Sequence, residues 1–198
     1  MARSALVPAM PVVSAPDRRA ELLAAAARRF ARVGFEATSM RDIAGDVGML
    51  AGSIYHHFPA KDAMIAAIYA LGVAQIEAAV AAALDGASDP WERLEALAVA
   101  HLEALLAESP FAAVLTADLA RLSPGLRRKL VVLRDRYEAR FAAVLEAVPL
   151  PRDIDRHLLR LHLLGALNAT PAWYRPDGGR TPRAIALAHV RVLRRGSA

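Results

Sequence analysis

Residues 38–61 read TSMRDIAGDVGMLAGSIYHHFPAK. Thr38 and Ser39 stand just before an apolar-periodic run, where their hydroxyls can accept from the first free backbone N–H groups of a helix. Asp42 follows Ser39 by three residues, the spacing of a capping box. Ile43, Ala44 and Val47 then form one buried stripe over about two turns. Gly48 comes next, and glycine takes positive φ without a Cβ penalty, so it suits the turn that ends this helix. A second short helix is predicted from about Leu50 to His57, with Ile54 and Phe58 inward, and Pro59 stops it. Two short helices at a sharp angle are the geometry that sets one helix into a DNA major groove.

The outward side of that second segment fits nucleic acid. Gly52 and Ser53 are small, so the backbone can approach base edges, and a serine hydroxyl can donate or accept there. Tyr55, His56 and His57 are hydrogen-bonding groups of middle length, suited to phosphate oxygens. Lys61 sits near the start of the following helix, where free N–H groups and the positive dipole end also favour a phosphate. A tyrosine or histidine near a helix end is as often half-buried and structural, and adjacent histidines cannot both face one phosphate. The joint spacing of caps, glycine, small pair and polar cluster carries the reading.

The stretches ELLAAAARRFARVGFEATSMRDIAGDVG and GSIYHHFPAKDAMIAAIY resemble the N-terminal DNA-binding domain of TetR-type transcriptional regulators, without a gap from about Arg18 to Tyr69. The resemblance implies phosphate contacts at Thr38, Arg41, Tyr55, His56, His57 and Lys61, and base contacts at Ala51, Gly52 and Ser53. One departure is visible. Members of that family usually carry a polar N-cap at the position of Leu50 and often a lysine at that of Ala51. Both are apolar here, which points base readout toward a thymine methyl.

Composition sets the surrounding limits. The chain has 198 residues, enough for a small domain and a larger one, and is rich in alanine, leucine and arginine with few aromatics. That favours an all-α fold. Formal net charge is +5, and residues 1–62 hold eight Lys/Arg against six Asp/Glu, so charge permits DNA binding without concentrating on the reading head. The absence of cysteine excludes disulfides, thiol catalysis and cysteine-ligated zinc. Residues 1–16 are apolar, but Pro8, Pro11 and Pro16 interrupt them, so they read as a disordered arm rather than a signal peptide; Arg3 on such an arm could reach a minor groove. The longest apolar run, Ala63 to Ala74, ends at Gln75 and Glu77, so no membrane span and a cytoplasmic location are expected.

The domain division is then an arm (1–16), a helix-turn-helix domain (17–62) and a helical domain (63–198). Helix one should start after Pro16, with Leu22, Leu23, Ala26, Phe30 and Val33 inward, and end at Gly34. Further helices follow from about Ala60 to Leu84, from Pro90 past Leu105, from Ser109-Pro110 to Leu122, from Ser123-Pro124 to Val148, from Asp153 to about Ala172 and from Thr181-Pro182 to Arg195. The total is nine, three in the head and six behind. The eighth carries two small pairs, Gly165/Ala169 and Ala166/Thr170, that let another helix come close. The resemblance implies a homodimer through the last two helices and hence a palindromic operator; closure of a monomer core by these helices is the alternative.

The family resemblance also implies release from DNA when a small molecule enters a pocket behind the head. Candidate lining residues are Trp91, His101, Leu105, Phe111, Leu115, Tyr137, Phe141 and Asn168, although aromatics at helical spacing are more often plain core. The segment from Asn168 through Pro171, Trp173 and Tyr174 to Gly178-Gly179 resembles the last inter-helix connection in TetR regulators of fatty-acid and steroid breakdown, some of which sense acyl-CoA thioesters. Trp173 and Tyr174 are expected to anchor that turn. A small hydrophobic effector is therefore expected, an acyl-CoA or other lipid-derived molecule being one candidate for it, while the segment itself could equally be a structural latch. Arg127, Arg128 and Lys129 form a basic run able to meet a CoA phosphate or simply to face solvent. No phosphate loop, nucleophile elbow or helix-borne metal pair occurs, so neither enzyme activity, cofactor nor metal is expected. Asp153, Asp155 and His157 read as the charged start of a helix rather than a metal site. The reading is a TetR-type repressor; the alternative is a helical ligand-binding module without DNA-binding activity.

Overall fold

The computed structural model describes residues 17–115 and 122–196. Among them the regular structure is entirely helical: α1 (Arg18–Val33), α2 (Met40–Asp46), α3 (Lys61–Leu84), α4 (Pro90–Leu105), α5 (Ala112–Leu115), α6 (Pro124–Ala147), α7 (Arg156–Ala169) and α8 (Pro182–Gly196). Two 3-10 segments, Ser53–His56 and Thr170–Ala172, complete it. The described residues thus hold eight α-helices rather than nine, and the 3-10 turn at Ser53–His56 takes the place of the third. The expected arm lies outside the described residues, as does 116–121, the later part of the segment expected to run from Ser109-Pro110 to Leu122 as a helix.

Side-chain caps set most helix starts. Asp17 accepts from Arg19 N at the head of α1, and Ser39 and Asp42 form a reciprocal capping box at α2. Asp89 and Ser123 cap α4 and α6, each followed by proline in the first turn, and Asp155 accepts from His157 N and Leu158 N at α7. Gly34 and Gly48, at φ 89° and 63°, close α1 and the α2 turn in a region that side chains disfavour.

Two hydrophobic clusters share α3. The first joins Leu22, Leu23 and Phe30 of α1, Ile43 of α2, Ile54 and Phe58 to Met64, Ile65, Ile68 and Tyr69 of α3, and extends to Val114 and to Leu122, Leu126 and Leu130 at the start of α6. Val33, expected inward, is exposed at the last position of α1. The second gathers Ile76 and Val80 of α3 with α4, α6, α7 and α8. By length and composition α3 could cross a membrane, with an 18-residue window of mean hydropathy 1.8, which extends past the apolar run expected to stop at Gln75. It packs instead against α1, α4, α5 and α6. A helix with neighbours on several sides needs apolar residues all round.

Candidate functional site

The head is fixed from α1. Arg29 forms a two-pronged ion pair with Asp46, Nε to Oδ2 at 2.5 Å and Nη2 to Oδ1 at 2.8 Å, locking α2 across α1. This hydrogen bond from Arg29 holds the Asp46 carboxyl below the ordinary carboxylate range, and the Ser39 hydroxyl does the same for Asp42. Arg19 donates from Nη1 to the His57 carbonyl at 2.9 Å, and its guanidinium lies 4.2 Å from the centroid of the Phe58 ring. The sequence reading did not find this strut. A long cation in the first turn of α1 was its only sign.

Residues 50–57 depart from the expected helix. Only Ser53–His56 is helical, and it is 3-10, with His57 N on Ile54 O at 3.0 Å. Leu50 has no side-chain acceptor to cap a helix and is 81% exposed. Gly52 adds backbone freedom, and Pro59 follows too soon for a second turn. Arg41, Gly52, Tyr55 and His56 are exposed, while Ala51, Ser53 and His57 are half-buried.

Two residues expected at phosphates have their polar atoms engaged inside the head. Thr38 is 2% exposed, and its hydroxyl donates to the Gly34 carbonyl at 2.9 Å. The Lys61 ammonium donates to the carbonyls of Phe35 (2.6 Å), Thr38 (2.9 Å) and Glu36 (3.3 Å), and sits 4.3 Å from the centroid of the Phe35 ring. An ammonium has three N–H donors, and all three are used. The cause is local: the α1–α2 loop turns several carbonyls toward the start of α3, and only a cation on that helix reaches them.

Behind the head, a cavity of about 60 Å³ opens between α3, α4, α6 and α7. Five of the eight expected residues line it: His101, Leu105, Leu115, Tyr137 and Asn168. The other three lie elsewhere. Trp91 is in the first turn of α4 with the Arg194 guanidinium 5.4 Å from its ring centroid, and Phe111 packs against the head-side cluster. Phe141 is fully buried beneath the cavity, edge-on to the His101 and Tyr137 rings. Helical spacing placed these three on apolar faces without telling which neighbour each face meets. Tyr69, Val73 and Ile76 of α3, together with Arg134, Glu138 and Leu164, complete the lining and were not found from sequence. Tyr69, Val73 and Ile76 fall at i, i+4 and i+7, so the stripe was legible but indistinguishable from core.

One polar chain runs through this apolar wall. His101 is 2% exposed; its Nδ1 lies 2.7 Å from Tyr137 Oη and its Nε2 3.1 Å from Asn168 Oδ1. Burial drives the His101 pKa down to about 4 and the Tyr137 phenol well up, so both are neutral near pH 7. At the rim Arg160 donates to Glu138 at 2.9 Å, and Arg134 reaches the same carboxylate at 3.4 Å. Arg134 and Glu138 also border an open groove of about 650 Å³ between α6 and α7.

The outer side of α7 and α8 is apolar in places, with Leu158 61% and Val192 65% exposed and Leu161 and Gly165 exposed beside them. Beyond α7, Tyr174 packs against the core, but Trp173 is exposed, so only one of the expected pair anchors the turn. The carboxylate of Asp155 is spent on capping α7, and no group of described residues has the make-up of a metal site.

The comparisons with known proteins agree with this geometry. A profile described as "Bacterial regulatory proteins, tetR family" matches residues 22–68, and one described as "Tetracyclin repressor-like, C-terminal domain" matches residues 87–197. The HTH-type transcriptional repressor KstR2 of Rhodococcus jostii (strain RHA1) is 31% identical over 186 residues, covering 91% of this chain and 91% of that protein. The solved ketosteroid transcriptional regulator KstR2 of Mycobacterium tuberculosis is 27% identical with a TM-score of 0.75, covering 92% of this chain and 95% of that one. AibR, solved in complex with isovaleryl coenzyme A and operator DNA, is 25% identical with a TM-score of 0.79, covering 89% and 97%. The chain belongs to the TetR family of bacterial transcriptional regulators.

Proposed function

We propose that this protein is a homodimeric repressor that binds a two-fold-symmetric operator and leaves it when an amphiphilic effector enters the cavity between α3, α4, α6 and α7. One observation carries the reading. A single helix, α3, is tied to the α1–α2 loop by Lys61 at its start and lines the cavity with Tyr69, Val73 and Ile76 farther along. The distance from Lys61 to Ile76 along the helix is about 22 Å at ~1.5 Å per residue. A cavity of about 60 Å³ is well below the ~300–1,000 Å³ of ordinary ligand sites, so an effector enters only by displacing a wall. Displacing α3 moves the head, and that difference in effector affinity between two states is what allosteric release requires.

On the DNA side, the exposed Arg41, Tyr55 and His56 are assigned to phosphates, with His57 beside them. Ala51, Gly52, Ser53 and the exposed Leu50 are assigned to base edges. Thr38 and Lys61, internally engaged, support the head. The apolar outer side of α7 and α8 supports dimerisation there, so the head (17–62) and the body (63–198) hold separate tasks. For the effector, an acyl-CoA or related lipid thioester is supported by the similarity to AibR and KstR2 and by the apolar lining. Arg134 at the rim and the open groove beyond it suit a polar tail.

The test is selection of bound duplexes from a random DNA pool, followed by titration of acyl-CoAs against the recovered complex. A two-fold-symmetric motif released by micromolar acyl-CoA is the expected outcome. Recovery of no motif at low salt would favour a ligand-binding module without operator affinity.

A further inference from the structure

The polar chain Tyr137–His101–Asn168 has a direction, and the direction selects a ligand. Asn168, exposed on α7, places Oδ1, an acceptor, 3.1 Å from His101 Nε2, and with the amide turned this way that nitrogen carries the proton. A neutral imidazole then has a bare lone pair on Nδ1, and among the described residues the donor facing it is the Tyr137 hydroxyl at 2.7 Å. Tyr137 has therefore committed its proton to His101. Its oxygen borders the cavity with lone pairs only, and it can accept but not donate there.

Val73, Ile76, Leu105, Leu115 and Leu164 make the aliphatic part of the lining around it, with Tyr69 of α3 as a second phenol on the wall. Among the described residues the cation that lines the cavity is Arg134, and it is paired with Glu138 at the rim. A ketone or carboxylate placed against Tyr137 would meet lone pairs with lone pairs. An apolar end leaves the phenol oxygen as it is, whereas a hydroxyl gains a hydrogen bond. The cavity holds a few water-sized groups, which matches the end of a ligand rather than its whole length.

We propose that the effector carries a neutral hydrogen-bond donor, a hydroxyl on an apolar skeleton, at the end that enters the cavity. Tyr137 is its acceptor, and Asn168 is the positioning residue that fixes the polarity through His101. The proposal deepens the effector reading above and rests on the same cavity.

Two matched pairs test it on the full-length protein: 2-octanol against 2-octanone, and 7-hydroxyoctanoyl-CoA against 7-oxooctanoyl-CoA. Affinities are measured by calorimetry or ligand-observed NMR. The alcohol of each pair should bind about tenfold more tightly, the worth of one hydrogen bond to a desolvated acceptor. Tyr137→Phe should erase the preference. Asn168→Ala should also erase it while keeping Tyr137, because Nε2 is then free and the imidazole can donate from Nδ1, turning the phenol proton outward. The nitrogen shifts of His101 give an independent signature: an Nε2–H tautomer in the native protein and a mixture in Asn168→Ala. Separation of the octanol pair with no binding of either CoA ester would sink the acyl-CoA reading and leave this one standing. Equal affinity within both pairs, binding of neither pair, or a preference that persists in Tyr137→Phe overturns the proposal.

Discussion

The ammonium nitrogen of Lys61 lies 2.6 Å from the carbonyl oxygen of Phe35, in the loop between α1 and α2, and faces the ring of the same residue. It makes Lys61 a strut rather than a free cation, and the two roles separate experimentally. Each neutralised phosphate contact contributes about 0.9 to the slope of log affinity against log salt. Lys61→Met should therefore weaken operator binding without lowering that slope, and should lower thermal stability by an amount near 2 kcal/mol, since charge-assisted bonds to carbonyls are lost. A slope reduced by about one unit at unchanged stability would return Lys61 to the phosphate backbone.

Base and phosphate roles divide the exposed groups of the head. Arg41→Ala and Tyr55→Phe should weaken binding to every duplex alike, because phosphate contacts carry no sequence information. Ser53→Ala should instead change which base is tolerated at one position of each half-site, by ~1–3 kcal/mol. The measurement is a repeat of the selection with each variant. A Ser53→Ala motif identical to that of the native protein would place base reading elsewhere in 50–57.

These head residues also show what the sequence could reveal. The capping box of Ser39 and Asp42, the punctuation by Gly34, Gly48 and Pro59, and the prolines at 90, 124 and 182 are local signals, and α1, α2, α4, α6 and α8 each begin or end at or beside one of them. The second helix of the pair failed because only tertiary context decides so short an element. Ile54 and Phe58 are buried as their spacing required, yet without a cap at Leu50 the backbone closes into a single 3-10 turn. The Lys61 strut, the Arg19 clamp and the α3 side of the cavity join residues far apart in sequence. Nothing in the periodicity of α3 distinguishes a stripe facing a cavity from one facing core, and the polar partners of His101 lie 36 and 67 residues away.

Gly72 gives a steric prediction. It is buried in α3, and a Cβ there would lie 3.0 Å from Leu115 Cγ, whose side chain lines the cavity. Gly→Ala in a helix interior ordinarily gains about 1 kcal/mol, whereas overpacking costs roughly 1–3. Gly72→Ala should be destabilising or neutral in the native background and stabilising by up to about 1 kcal/mol in Leu115→Ala. Chemical denaturation of the four proteins closes the cycle. Additive effects would show that Leu115 does not occupy the space above Gly72.

His101 makes stability depend on pH in a calculable direction. Burial lowers its pKa to about 4 from an ordinary value near 6.5, so between these limits the unfolded chain binds a proton that the folded one does not. Its contribution is complete above pH 6.5 and is lost as pH falls toward 4. From pH 7 to 5 the loss amounts to about 2 kcal/mol for a shift of this size, in a window above the range where carboxylates titrate. Partial burial and the neighbouring His162 lower His189 as well, which acts in the same direction. The His101 share is therefore read as the difference between the native protein and His101→Gln, whose side chain is neutral at every pH and can still reach Tyr137 and Asn168. Denaturant midpoints at pH 7 and 5 should converge for the two proteins at the lower pH. A constant gap between them would mean that His101 is protonated in the fold, and the Tyr137 hydroxyl would then be free to donate into the cavity.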